Sequence, residues 1–157
     1  KYPVIYQDFG ADVYEKMLES RDLLTKYNKL IMIFPGGKEP VERVHGFNKF
    51  CSEFGLSHEV IKSLENIKIR KGEAYFLVTD RNLVNLIKMA GREGLKIGSD
   101  IGIVSFNDTL LKEVVAGGIT TISTDFSYMG ERLAQMVTNK EKVQLRNPSS
   151  LIRRKSL

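Results

Sequence analysis

The stretch IGIVSFNDTLLKEVVAGGITTISTDF, Ile101 to Phe126, decides the fold. Ile101 to Phe106 is a mostly apolar run, of the kind found in a strand covered on both faces. It stops at a polar pair, Asn107-Asp108. Asp108 to Val115 then has the spacing of a short helix, and Ile119 to Ser123 is extended again. Strand, helix and strand in such quick succession make a βαβ unit, which implies parallel strands joined by right-handed crossovers.

The alternation continues on both sides. Leu30 to Phe34 (LIMIF) and Tyr75 to Val78 (YFLV) are short apolar runs of the same kind, and His58 to Ile61 is a weaker one. Between them lie helical patterns. Asp12 to Tyr27 aligns Val13, Met17, Leu18 and Leu24. Val41 to Phe54 aligns Phe47, Phe50 and Cys51 and is stopped by Gly55. A third helix is expected to start at a capping Asp80 and to end at Gly94. Ser127 to Thr138 is helical, Pro3 to Tyr6 is strand-like, and the tail is a loop followed by a strand at Leu151 to Lys155. The expected architecture is α/β: a three-layer α/β/α lobe with a mostly parallel sheet. In such sheets ligands bind at the carboxyl ends of the strands. Here those ends are 35–38, 79–81 and 107–109.

Composition narrows the function. The chain has 157 residues, of which 42% are hydrophobic and 27% charged, so it folds around a real core. No apolar run approaches the roughly 20 residues of a membrane span, and no leader is expected. The lone Cys51 excludes an internal disulfide framework and suits a reducing compartment. The net charge of +5 is mild and scattered, and Arg153-Arg154-Lys155 is too short to make a nucleic-acid surface. Enzyme signatures are missing. PGGKE lacks the spacing of a phosphate-binding loop, no Gly-x-Ser-x-Gly elbow occurs, and His45 and His58 have no neighbours at metal spacing. No cofactor and no metal site are expected. The chain opens on Lys1 instead of Met, which reads as a piece of something longer.

Three groups of residues could carry recognition. Thr79-Asp80 and Asn107-Asp108 are polar pairs at the ends of two strands. Each could simply cap the following helix, yet the repeat suggests a polar cleft that hydrogen-bonds a small molecule. Arg43, early in its helix, could offer a planar fork to ligand oxygens or could pair with Glu39 or Glu42.

RVHGF (Arg43 to Phe47), Phe76 to Thr109, Ile119 to Val137 and the closing LIRRKSL resemble, in order and spacing, the effector-binding region of LacI/GalR-type bacterial transcription regulators. That family shares the two-lobed fold of periplasmic sugar-binding proteins. The resemblance implies that residues 1–123 and 145–157 form mainly the C-terminal lobe. Residues 124–140 would be a crossover and a helix of the other lobe. It implies a sugar, sugar acid or sugar phosphate as effector, bound by Arg43, Thr79, Asn107 and Phe126 with Asp80 in support. Asn107 stands where the family usually has a carboxylate and Thr79 where it usually has an amide, so Arg43 is expected to lack a nearby anion and to favour an anionic ligand. The resemblance also implies a cytoplasmic homodimer that reaches DNA through a domain outside this chain. The dimer face would lie on the helices starting near Arg81 and Asp108. Leu83, Val84, Ile87, Leu111, Val114 and Val115 there are more apolar than two sheet-covering helices need, although all six could instead fill the core. The alternatives are an exported solute-binding protein for transport and a small enzyme of flavodoxin-like architecture.

Overall fold

A computed structural model of the protein describes residues 2–157. The strands are β1 (Val4–Tyr6), β2 (Lys29–Ile33), β3 (His58–Ile61), β4 (Glu73–Leu77), β5 (Gly102–Phe106), β6 (Thr120–Thr124), β7 (Gln144–Arg146) and β8 (Ser149–Ile152). The helices are α1 (Phe9–Glu19), α2 (Arg21–Leu24), α3 (Glu42–Glu53), α4 (Asp80–Glu93), α5 (Leu110–Val114) and α6 (Phe126–Thr138), with a 3₁₀ turn at Val115–Gly117. The main sheet has the order β3-β2-β4-β5-β6-β8. All its pairs are parallel except β6 with β8. The expected α/β lobe with a mostly parallel sheet is therefore present. The chain runs from β2 outward to β3 and returns across β2 to β4, so the sheet changes direction between β2 and β4.

Helices cover both faces because the strands alternate between two cores. Leu30, Met32, Phe76 and Val104 point to one side and pack with Met17, Phe47 and Phe50 of α1 and α3. Ile31, Ile33, Tyr75, Leu77 and Ile103 point to the other and pack with Leu83 and Leu86 of α4. This alternation turns continuous apolar runs into a two-faced sheet. Cys51 is fully buried in the first core, and burial pushes its thiol pKa up to about 12, so the thiol is inert.

Local chemistry moved several boundaries. The expected helix over Asp12 to Tyr27 is two helices. Ser20 lies between them, its hydroxyl donating to the Lys16 carbonyl at 2.9 Å. Thr79, not Asp80, caps α4, its hydroxyl accepting from the Asn82 N–H. Thr109, not Asp108, caps α5 in the same way. The last strand ends at Ile152, earlier than expected, and beyond it the tail is held by side-chain hydrogen bonds together with the Ile103 N–H to Ser156 carbonyl bond rather than by a regular ladder. The Arg154 N–H donates to Thr120 Oγ1 at 3.0 Å and Ser156 Oγ donates to the Ile103 carbonyl at 2.6 Å. A separate two-stranded parallel sheet joins β1 to β7, against which α6 packs.

The closest helix contact, between α1 and α3, depends on a missing side chain. A Cβ at Gly46 would stand 2.2 Å from the Gly10 carbonyl oxygen, a backbone atom that cannot give way alone. Gly91, in α4, has nothing within 4 Å of its own missing Cβ. Gly46→Ala is expected to cost about 1–3 kcal/mol by forcing the helices apart, whereas Gly91→Ala should add up to ~1 kcal/mol. Urea unfolding midpoints of the two variants should therefore move in opposite directions.

Candidate functional site

The carboxyl ends of β2, β4, β5 and β6 face one edge of the sheet, and the side chains there divide between two hollows. One is narrow. It is bounded by Phe9, Asp12, Arg43, Phe106, Asn107 and Ser123, among others, and encloses only about 10 Å³. That is room for about one water, so on these residues the site is one wall and not an enclosure.

Arg43 is its centre. The side chain is 7% exposed, with its guanidinium carbon 5.2 Å from the centre of the Phe9 ring and 4.7 Å from that of Phe106. Two aromatic faces hold the fork in a fixed plane. Nη1 donates to Glu39 Oε2 at 2.8 Å. Burial pulls the Arg43 pKa down, while Glu39 and, more weakly, Asp12 push it back up. The expectation that Arg43 lacks an anion is thus corrected: Glu39, one helical turn earlier, supplies the charge that position 107 does not. Asp12 is itself buried on the rim and accepts from Arg146 at 2.6 Å and from Ser149 at 3.0 Å.

Asn107 ends β5 with a left-handed backbone, φ 61°, one of the few conformations of this kind that asparagine tolerates well. Its N–H donates to the Ile122 carbonyl at 2.9 Å, and its side-chain amide has no protein partner among the described residues. Lys112 fixes its carbonyl. The Lys112 ammonium is buried and donates to the Phe106 and Asn107 carbonyls, each at 2.8 Å, and it lies 2.9 Å from Asp80. Asp80 therefore supports the strand end through Lys112 and does not cap α4.

Asp108 turns away from the hollow. Its carboxylate receives both Arg154 nitrogens, at 2.6 and 2.8 Å, and the Thr121 hydroxyl at 3.0 Å. Arg153 pairs with Asp22. Two of the three basic residues in the tail are thus committed to tying it down.

The other proposed residues lie elsewhere. Thr79, besides capping α4, lines the second, wider hollow. Phe126 opens α6, is 58% exposed and borders neither hollow. Leu83 belongs to the core and presents nothing to a partner, which corrects its place on the dimer face. Ile87 and Val115 are half-buried against the same core. Val84, Leu111 and Val114 are exposed, at 40%, 58% and 73%, and Leu110 beside them is 82% exposed. Sequence reasoning missed Phe9, Phe106, Asp12, Lys112 and Arg154. Only Phe106, the last residue of a readable strand, could have been flagged.

Comparison with known proteins agrees with this fold. Residues 25–157 match the family described as periplasmic binding protein-like domain. The transcriptional regulator GalR of Streptococcus thermophilus is 26% identical over 114 residues, covering 63% of this chain and 34% of that protein. The chain thus spans about a third of the length of that relative. Among solved structures, a LacI family transcriptional regulator from Bifidobacterium animalis subsp. lactis superposes with a TM-score of 0.81 at 17% identity, over 98% of this chain and 63% of its own. The lac repressor dimer bound to operator and the anti-inducer ONPF superposes with a TM-score of 0.70 at 20% identity, over 97% of this chain and 52% of its own. At these identities the structural matches speak for the fold.

The Asp108–Arg154 pair predicts a pH dependence. Hydrogen bonding and charge from Arg154, with the Thr121 hydroxyl, hold the Asp108 pKa below its usual 3.8. Its stabilising contribution is therefore complete above the unfolded-state value and is lost as pH falls from about 4 toward the lower folded-state value. Asp108→Asn should destabilise the protein at pH 7 and flatten the acid limb of the stability curve below about pH 4. Urea unfolding from pH 7 to pH 2 measures both effects.

Proposed function

The chain belongs to the periplasmic binding protein-like domain family, and on that premise we propose that it senses a small effector for a LacI/GalR-type transcription regulator. The observation that carries this is the meeting of Arg43 and Asn107 in one hollow at the strand ends, the first clamped between two aromatic rings and the second with a free side-chain amide. An aromatic-backed fork beside an amide suits a polyhydroxylated ring, which offers apolar faces and many hydroxyls. The Arg43–Glu39 pair removes the need for an anionic ligand, so a neutral sugar or sugar derivative is the first choice. The hollow as it stands is too small to enclose one, so a second wall would complete it, and the family's two-lobed fold offers such a wall. Phe126 and Thr79 belong to this proposal only through the family resemblance. DNA recognition would rest with a domain outside this chain. Among the described residues no helix is long and apolar enough to cross a membrane, and the proposed setting is the cytoplasm. The solute-binding alternative is not favoured, since the regulator GalR is among the relatives.

The proposal is tested on the intact protein with a thermal-shift panel of neutral hexoses, pentoses and their phosphates. For the sugar that raises the melting temperature, Asn107→Gly keeps the left-handed backbone and deletes the amide. Arg43→Lys keeps the charge and deletes the fork. Each should weaken binding by roughly 1–3 kcal/mol, as loss of a hydrogen bond to a charged or buried group does. Unchanged affinity in both would place the effector elsewhere.

A homodimer is part of the same proposal. Val84, Leu110, Leu111 and Val114 form an exposed apolar surface on α4 and α5. Such side chains are usually covered in a dimer. Val84→Glu with Leu111→Glu is expected to shift the intact protein from dimer to monomer in sedimentation velocity, with its circular dichroism unchanged.

A further inference from the structure

We propose that the second hollow is an anion site for a small organic polyphosphate, separate from the hollow around Arg43. It lies between α4 and the segment that follows β3, and its volume is about 610 Å³, within the usual range of small-molecule pockets. Lys62, Arg81, Lys88 and Arg92 line it, against one acid, Glu65. All five are exposed.

Two features separate this groove from an ordinary solvated helix face. First, four cations without an ion-pair partner converge on one hollow against a single acid. Arg43, Lys112, Arg132, Arg146, Arg153 and Arg154 each pair with a carboxylate. Among the described residues none of the four groove cations lies within ion-pair distance of any acid. Lys88 and Arg92 are one helical turn apart, an arrangement of like charges that costs helix stability. Asn85, at the turn before, is an amide where a carboxylate would have relieved them. Second, the groove is concave and two-toned. Leu64 is buried in its floor with Met89 half-buried beside it, while Ser63, Asn82 and Asn85 add hydrogen-bonding groups.

The spacing selects the ligand. Arg81 to Arg92 spans eleven residues, roughly 16 Å of helix. One phosphate reaches Lys88 and Arg92 but not Arg81. A molecule with several linked phosphates and an apolar or aromatic ring satisfies both ends and the floor. Arginine forks bind phosphate in a bidentate fashion, and lysines add point charges.

The test uses the intact protein, with inorganic tripolyphosphate and ATP as probes in calorimetric titrations at low salt. Both probes are expected to bind, ATP at least as tightly as tripolyphosphate. Lys88→Glu with Arg92→Glu should weaken both by tenfold or more, while the helix keeps its circular dichroism because both residues are exposed. Lys140→Glu with Lys142→Glu changes the net charge equally at a distance from the groove and should alter affinity less than twofold. Arg43→Lys should also leave it unchanged. The inference is overturned if neither probe binds, if the two charge reversals weaken binding equally, or if the loss follows Arg43.

Discussion

A buried ammonium organises the carboxyl-end edge of the sheet. Lys112 uses its three donors on the Phe106 carbonyl, the Asn107 carbonyl and Asp80. A charge removed from water this far is tolerated only when it is paired and fully hydrogen-bonded. The three partners come from the end of β5 and the first turn of α4, while the lysine itself comes from α5. Meeting the demands of one ammonium therefore locks three elements together. It also holds Asn107 in the left-handed conformation that turns the strand end toward the hollow. Asp108, one residue on, is held from the other side by Arg154 of the tail.

The sheet was legible because its strands are continuous apolar runs separated by helical periods, a pattern that fits few other folds. Ile101 to Phe106 and Ile119 to Ser123 were read almost to the residue. What the pattern could not convey was chemistry between distant positions. Thr79-Asp80 and Asn107-Asp108-Thr109 each offer adjacent capping residues, and in both cases the threonine took the cap. The aspartates were claimed by Lys112 and Arg154, partners 32 and 46 residues away. A lysine on a five-residue helix looks like a surface residue in sequence, and only the geometry buries it. The β1–β7 pair was invisible for a similar reason: two three-residue strands, 140 residues apart at their paired positions Ile5 and Leu145, carry too little periodicity to find each other. The family resemblance located Arg43 and Asn107, which the structure does bring into one hollow. It misjudged their electrostatics, because Glu39 lies four residues before Arg43 and not at the position where a carboxylate was sought.

The two hollows divide the edge by charge. Around Arg43 the positive fork is met by Glu39 and faces Asp12, and the net field is small. Along α4 the cations have no such partners, and the field is left open to solvent. Salt screens the second much more than the first, since exposed charges lose their reach beyond about 10 Å at moderate ionic strength. A neutral ligand and an anionic one would thus find separate surfaces on the same sheet edge.

The same few residues also connect the narrow hollow to the exposed apolar face. Lys112 points inward from α5, while Leu110, Leu111 and Val114 of that short helix point outward. A ligand that displaces the Asn107 carbonyl must either carry Lys112 with it or break a charge-assisted hydrogen bond. Helix α5 has too few turns to absorb such a shift internally, so it would move as a unit with its apolar side chains. The Lys112–Asp80 contact extends the link to the first turn of α4, which carries Val84 on its exposed side. This is a contiguous chain of packed and hydrogen-bonded groups of the kind that can carry coupling between two sites. Coupling between the proposed ligand hollow and the proposed dimer face would run through α5 and the start of α4, where Lys112 reaches the one and Leu110, Leu111, Val114 and Val84 face the other.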